Sequence, residues 1–83
     1  SQTPLDTYMN QITLAKIDDL AKLDPDYPAE YAKGIVLYRL GSYPNAIDAF
    51  ERYLAASPSG PYAVRAVNYM KASLEHEAAF GGP

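Results

Sequence analysis

Residues 27–60 read YPAEYAKGIVLYRLGSYPNAIDAFERYLAASPSG, and this stretch decides the fold of the chain. Apolar residues recur in it at intervals of three and four, which is typical of amphipathic helices. The clearest stripe, at positions i, i+3 and i+7, consists of Ile47, Phe50 and Leu54. Glycine and proline divide the stretch into segments of helix length. We therefore predict one helix over residues 28–40 and a second over residues 44–56.

Four residues of this stretch have the spacing of a known repeat. Gly34, Ala46, Phe50 and Pro58 follow one another at intervals of 12, 4 and 8 residues, as in the tetratricopeptide pattern. The stretch resembles a single tetratricopeptide repeat (TPR), which is a pair of helices joined by a short turn. The structural positions that the resemblance implies are Gly34, Gly41, Tyr43, Ala46, Phe50 and Pro58.

Gly34 is an informative member of this set, because a glycine inside a helix lowers stability by roughly 1 kcal/mol relative to alanine. We expect a close contact with the neighbouring helix to compensate for that loss. The chain departs from the family pattern at Glu30, Lys33 and Leu37, where the family has Trp, Leu and Tyr.

Residues 4–23 form a further predicted helix. Its start, residues 3–6, has the sequence Thr-Pro-Leu-Asp, which is typical of a capping box with proline in the first turn. A shift of 33 residues pairs Ile17 with Phe50, so the segment resembles the second helix of a preceding repeat. Its apolar residues cover more than one stripe, which predicts two buried faces, or one buried face and a partner.

A last helix is predicted from Pro61 over residues 61–79, followed by a loose tail over residues 80–83. Its apolar stripe consists of Val64, Val67, Met70 and Leu74, and we expect it to cover the repeat as a terminal capping helix. Together the segments predict an all-α fold with one TPR-like domain over residues 1–83. Its architecture is a short antiparallel array of about four helices, a fragment of a helix-turn-helix solenoid.

Composition argues against several classes of function. The chain has no cysteine, seven basic and ten acidic residues, and a net charge of −3. Dispersed basic residues disfavour a nucleic-acid partner, and no apolar run is long enough for membrane insertion. The single histidine, His76, lies in a polar run and is expected at a solvated helix end. With no phosphate loop and no paired nucleophile and base, we predict no catalytic, cofactor or metal site, and therefore no enzyme.

The eight tyrosines are the most unusual feature of the composition. Tyrosine combines apolar area with a polar tip and is enriched at interfaces. In proteins of the TPR family the first helix of each repeat lines a concave groove, and the resemblance implies such a groove here. The candidate partner-binding residues are Tyr31, Ile35, Tyr38, Arg39, Tyr62, Arg65 and Asn68. Packing within the fold is the equally weighted alternative for these side chains.

The leading functional hypothesis is a protein-interaction or scaffold module that binds a partner protein or peptide through tyrosine-rich helix faces. One alternative is a homo-oligomerisation module that stacks helices between copies. Another is a docking fragment of a larger envelope protein or enzyme. The run from Ser57 to Ala66 is similar to bacterial cell-envelope members of the family, so the cytoplasm and the bacterial cell envelope are the two localisation hypotheses.

Overall fold

Four helices make up the regular structure of residues 3–80, the part of the chain that the computed structural model describes. They are α1 (Pro4–Leu23), α2 (Ala29–Arg39), α3 (Tyr43–Ala56) and α4 (Ala63–Phe80). No strand occurs among these residues, so the predicted all-α class is confirmed. Of the predicted tail, Phe80 is instead the last residue of α4, and residues 81–83 lie outside the described residues.

The first helix begins and ends where its local sequence requires. The Thr3 side chain accepts the N–H of Asp6 at 3.1 Å, and the Asp6 side chain accepts the N–H of Thr3 at 3.3 Å. Pro4 occupies the first turn, where its missing N–H is not needed. At the other end Asp24 is extended, because the following Pro25 disfavours a helical conformation there. The predicted capping box and the helix bounds of 4–23 are both confirmed.

A tight turn at Gly41 connects α2 to α3. Gly41 has a φ of 75°, in the left-handed region that glycine adopts at little cost. Its N–H donates to the Tyr38 carbonyl at 3.0 Å, and the Ser42 N–H donates to the Leu37 carbonyl at 2.9 Å. This pair of bonds is a Schellman motif, which satisfies the last carbonyls of a helix. Because the turn is so short, α3 folds back along α2.

The core lies between α2, α3 and α4. Its buried members are Tyr31, Ala46, Phe50, Tyr53 and Ala66. The ring of Phe50 lies directly against the backbone of Gly34, so the close contact expected at that glycine is confirmed. Ala46, the other small residue of the pattern, is fully buried.

Ring contacts define the directions of these three helices. On α2 and α3, Tyr31 contacts Tyr53 and Tyr38 contacts Tyr43, so the numbering runs in opposite directions and the helices are antiparallel. Between α2 and α4, Tyr31 contacts Tyr62 and Tyr38 contacts His76, so those two helices are parallel. The described chain measures 39 × 31 × 15 Å, and its thin dimension is little more than one helix diameter of about 10–12 Å.

The start of α4 differs from the prediction, since the helix begins at Ala63 and not at Pro61. The N–H of Tyr62 donates to the Tyr53 hydroxyl at 3.0 Å. The N–H of Ala63 donates to the Gly60 carbonyl at 3.1 Å. These bonds hold Pro61 and Tyr62, the two residues before α4, in a turn. Because the Tyr53 hydroxyl that binds Tyr62 belongs to α3, packing against α3 fixes where α4 begins.

The buried face of α4 also differs from the prediction. Three of the four stripe residues are exposed, at 75%, 38% and 54%: Val64, Val67 and Leu74. The helix instead packs through Ala66 and Ser73, which are fully buried, and through Tyr69, whose ring stacks on Phe50 at 5.3 Å. Small residues allow α4 to approach α3 closely, and the tyrosine ring fills the remaining space, so the more hydrophobic stripe is left outside.

The first helix buries one face and not two. It contacts α2 and no other described helix, and its only buried residue is Ile17. Ile12 and Leu14 are half-buried, and five large apolar side chains of α1 are exposed: Leu5, Tyr8, Met9, Leu20 and Leu23. The sequence left two alternatives open for α1, and the alternative with two buried faces is therefore wrong.

Candidate functional site

A continuous network of aromatic rings runs through α2, α3 and α4. Its members are Tyr31, Tyr38, Tyr43, Phe50, Tyr53, Tyr62, Tyr69 and His76. Offset and edge-to-face ring pairs contribute beyond the apolar area that they bury. Six of the eight tyrosines therefore stabilise the fold, whatever else some of them do.

Tyr31 lies at the centre of this network. It is only 7% exposed, stacks on Tyr62 with ring centroids 4.6 Å apart, and contacts Phe50, Tyr53 and Tyr69 through its edges and faces. A side chain so enclosed has little area left for a partner. We therefore correct its assignment from candidate groove residue to core residue.

A groove of about 390 Å³ separates α2 from α4 on one surface of the molecule. Its lining consists of Tyr38, Arg65, Asn68, Tyr69 and Ala72, which we call the α2–α4 groove. Tyr38 and Tyr69 are half-buried and meet edge to face at 5.2 Å, whereas Arg65 and Asn68 are exposed. The groove thus combines an aromatic floor with a polar rim, and it brings together three of the seven candidate residues.

The remaining candidates lie elsewhere. Ile35 is partly buried against the core. Arg39 is exposed in the last turn of α2 and does not line the α2–α4 groove. Tyr62 stacks on Tyr31 and lines a different cavity near the start of α4.

That second cavity, of about 330 Å³, lies between the α1–α2 and α3–α4 connections. Prolines and tyrosines make up much of its lining, and its charged residues are Asp26 and the ion pair between Arg52 Nε and Glu30 Oε2 at 3.1 Å. The one cation of this lining is thus already paired, whereas Arg65 of the α2–α4 groove has no acidic partner among the described residues.

No protein-family model, no curated protein and no solved structure matches the chain. Membership of the TPR family therefore stays a prediction, which rests on the spacing of Gly34, Ala46, Phe50 and Pro58.

Two of the three residues that depart from the family pattern, Glu30 and Lys33, carry a chain of ion pairs. Lys33 on α2 pairs with Asp18 on α1 and with Glu30 on its own helix, and Glu30 pairs in turn with Arg52 on α3. The chain of charges therefore links three helices on one face. Its partners lie up to 22 residues apart in the sequence, so no local pattern indicated it.

His76 is a residue whose role sequence reasoning missed. Its ring stacks on Tyr43 at 4.8 Å with an interplanar angle of 3° and meets the edge of Tyr38. The expected solvated helix end is therefore wrong at this position. The sequence did contain an indication of this packing, since residues 62, 66, 69, 73 and 76 follow the alternating 4, 3 spacing of one helix face. Because two of these residues, Ser73 and His76, are polar, the face did not resemble an apolar stripe.

Within residues 3–80, no cluster of three or more His, Asp or Glu side chains is arranged to hold a metal ion. In the same part of the chain, no helix has the length and apolar character needed to cross a membrane.

Proposed function

We propose that this chain is a TPR-like protein-interaction module whose α2–α4 groove binds a short peptide segment. The segment carries a carboxylate next to a large apolar side chain. The observation that supports this most directly is the pairing of an uncompensated cation with an aromatic floor in one groove.

Arg65 supplies the charge. Among the described residues it has no acidic partner within ion-pair distance, unlike Arg52, Lys33 and Lys22. A guanidinium binds a carboxylate through two parallel hydrogen bonds, which are stronger than neutral ones. Asn68 lies one helical turn further along α4 and adds amide donors on the same side. The two residues together favour a single carboxylate over a neutral group.

Tyr38 and Tyr69 supply the apolar contact. Both rings are held by other rings: Tyr38 by Tyr43, and Tyr69 by Phe50. A floor that is already ordered loses little conformational entropy on binding, which favours affinity. Aromatic side chains of this kind are common anchors at interfaces.

The size of the groove limits the affinity. One charge-assisted contact and one apolar side chain support a dissociation constant of about 0.1 mM. The net charge of −3 on the chain repels strongly acidic partners over longer distances. The preferred segment therefore carries one carboxylate and not a run of them.

The test is an NMR titration with two terminally blocked octapeptides that differ only in Asp-Phe against Asn-Phe at their centre. We expect the Asp peptide to shift the Arg65 Nε–H and the Asn68 side-chain amide. The Asn peptide should bind more weakly by up to about fivefold, because an ion pair of an exposed arginine contributes up to about 1 kcal/mol. Arg65→Gln should abolish the difference between the peptides.

Arg39→Gln is the matched control, because Arg39 is also exposed on a helix but lies outside the groove lining. It should leave both titrations unchanged. Equal binding of the two peptides, or equal effects of the two arginine substitutions, would contradict the proposal.

A further inference from the structure

The large exposed apolar side chains of residues 3–80 are confined to two helices. On α1 they are Leu5, Tyr8, Met9, Leu20 and Leu23, and on α4 they are Val64, Val67 and Leu74. The inner helices α2 and α3 carry none. Large apolar side chains left exposed together on two outer helices of a small domain indicate interaction surfaces.

The internal repeat of the chain relates these two surfaces to each other. When the sequence is aligned with itself at a shift of 33 residues, Val64 of α4 aligns with Tyr31 of α2, and Leu20 of α1 aligns with Tyr53 of α3. Tyr31 and Tyr53 contact each other across the α2–α3 interface, with ring centroids 5.6 Å apart. Val64 and Leu20 are thus equivalent to two positions that face each other inside the molecule.

We propose that copies of this chain associate head to tail, with α4 of one copy packed antiparallel against α1 of the next. The two helices have the same register as α2 and α3 within one copy, so that Val64 of one copy contacts Leu20 of the other. The occupant of both surfaces is a second copy of this chain, and Arg65 is the one residue lining the α2–α4 groove that we place near this contact.

The charges near this interface are complementary. In the proposed register Arg65 of one copy lies at the level of Asp19 of the next. Both side chains are exposed, and Asp19 has only a long contact of 3.9 Å to the exposed Lys22 within its own copy. At the other end of the interface, Leu74 lies at the level of Met9. The proposed contact therefore places Arg65 opposite Asp19 near one end and Leu74 opposite Met9 near the other.

The size of the interface predicts weak association. α1 and α4 contain 20 and 18 residues, so their overlap is about 27 Å long. A strip of that length and about 10 Å wide buries about 300 Å² on each copy, well below the roughly 800 Å² of a standard interface. Val67 also occupies the position of Gly34 and prevents an equally close approach of the helices. We expect dissociation constants of hundreds of micromolar, or about −5 kcal/mol.

A head-to-tail contact uses two different surfaces, so an assembly of any length keeps one free α1 surface and one free α4 surface. This property gives a sharp test by sedimentation velocity on the full chain from about 20 μM to about 2 mM. The average mass should rise with concentration from the 9.1 kDa monomer past the dimer. Val64→Asp and Leu20→Asp should each raise the dissociation constant at least about tenfold.

The decisive sample is an equimolar mixture of the two variants. The intact α4 surface of the Leu20→Asp chain should bind the intact α1 surface of the Val64→Asp chain, so the mixture should form dimers and nothing larger. Ala55→Asp is the control for added charge, since Ala55 is exposed on α3, and it should associate as the unaltered chain does.

Several results would overturn the proposal. A monomer at every concentration would mean that a different molecule covers these surfaces. Self-association retained by either single variant would indicate an α1–α1 or α4–α4 contact. Thermal melts of all variants identify any loss of fold, and we expect them unchanged because both positions are exposed. Neither substituted position lines the α2–α4 groove, and a peptide titration at protein concentrations well below the expected dissociation constant tests the groove separately from self-association.

Discussion

The ring of Phe50 occupies the space that a side chain at Gly34 would need. An ideal Cβ on Gly34 would lie 2.5 Å from Cε1 and 2.7 Å from Cδ1 of that ring, and Phe50 is fully buried. Neither partner therefore has room to move. This contact sets the distance between α2 and α3.

Gly34→Ala should destabilise the protein even though alanine favours a helix. The propensity gain of about 1 kcal/mol is opposed by an overpacking cost of about 1–3 kcal/mol, and we expect a net loss of up to about 2 kcal/mol in urea unfolding. In a Phe50→Leu background the same substitution should cost less, because the two residues are coupled. Stabilisation by Gly34→Ala in the unaltered background would contradict this expectation and show that the Phe50 ring moves to make room for the added methyl group.

Tyr53→Phe should reveal the bond that positions the start of α4. The Tyr53 hydroxyl accepts the Tyr62 N–H at 3.0 Å, and its ring is buried. Losing the acceptor should cost about 1–2 kcal/mol of unfolding free energy and speed hydrogen exchange at the Tyr62 amide. Tyr8→Phe removes an exposed hydroxyl and should change neither measurement. Unchanged exchange at Tyr62 in the Tyr53 variant would count against this role.

Lys33→Met should test the chain of ion pairs that links the first three helices. The Lys33 side chain is 23% exposed and pairs with Asp18 and Glu30. Exposed and half-exposed pairs contribute little, so we expect a loss of at most about 1 kcal/mol at low salt. Because salt screens such pairs, the difference should shrink towards zero at about 1 M NaCl.

The control for this substitution is Lys22→Met, whose partner Asp19 lies 3.9 Å away and where both side chains are largely exposed. Its effect should be close to zero at every salt concentration. A loss in the Lys33 variant that persists unchanged in high salt would instead assign the role of Lys33 to the packing of its aliphatic stem.

Both ends of α1 and the turn between α2 and α3 were predictable from sequence because each depends on residues within a few positions of itself. The capping box at Thr3 and Asp6 and the glycine at position 41 act through local backbone bonds, and such bonds have the same geometry in any fold. The close contact at Gly34 was also predictable, since a glycine inside a helix indicates an approach that a larger side chain would block.

The candidate site was predictable only in part. Tyr38, Arg65 and Asn68 do line one groove, but Tyr31 is buried in the core and His76 stacks on Tyr43. Tyrosine and histidine carry both apolar area and polar atoms, so their sequence position alone does not specify whether they face water or another ring.

By itself the sequence determined both ends of α1, the turn between α2 and α3, and where α2 and α3 pack most closely. The start of α4 depended on the tertiary contact between Tyr62 and Tyr53. Which face of α4 is buried was decided by the tertiary structure. Ala66 and Ser73 are small enough to let that helix approach α3, and Tyr69 stacks on Phe50 there, whereas the more hydrophobic stripe at Val64, Val67 and Leu74 remains exposed. Hydrophobicity favours burial without direction, but close packing depends on the shapes of both surfaces, and the second surface is formed only when the helices come together.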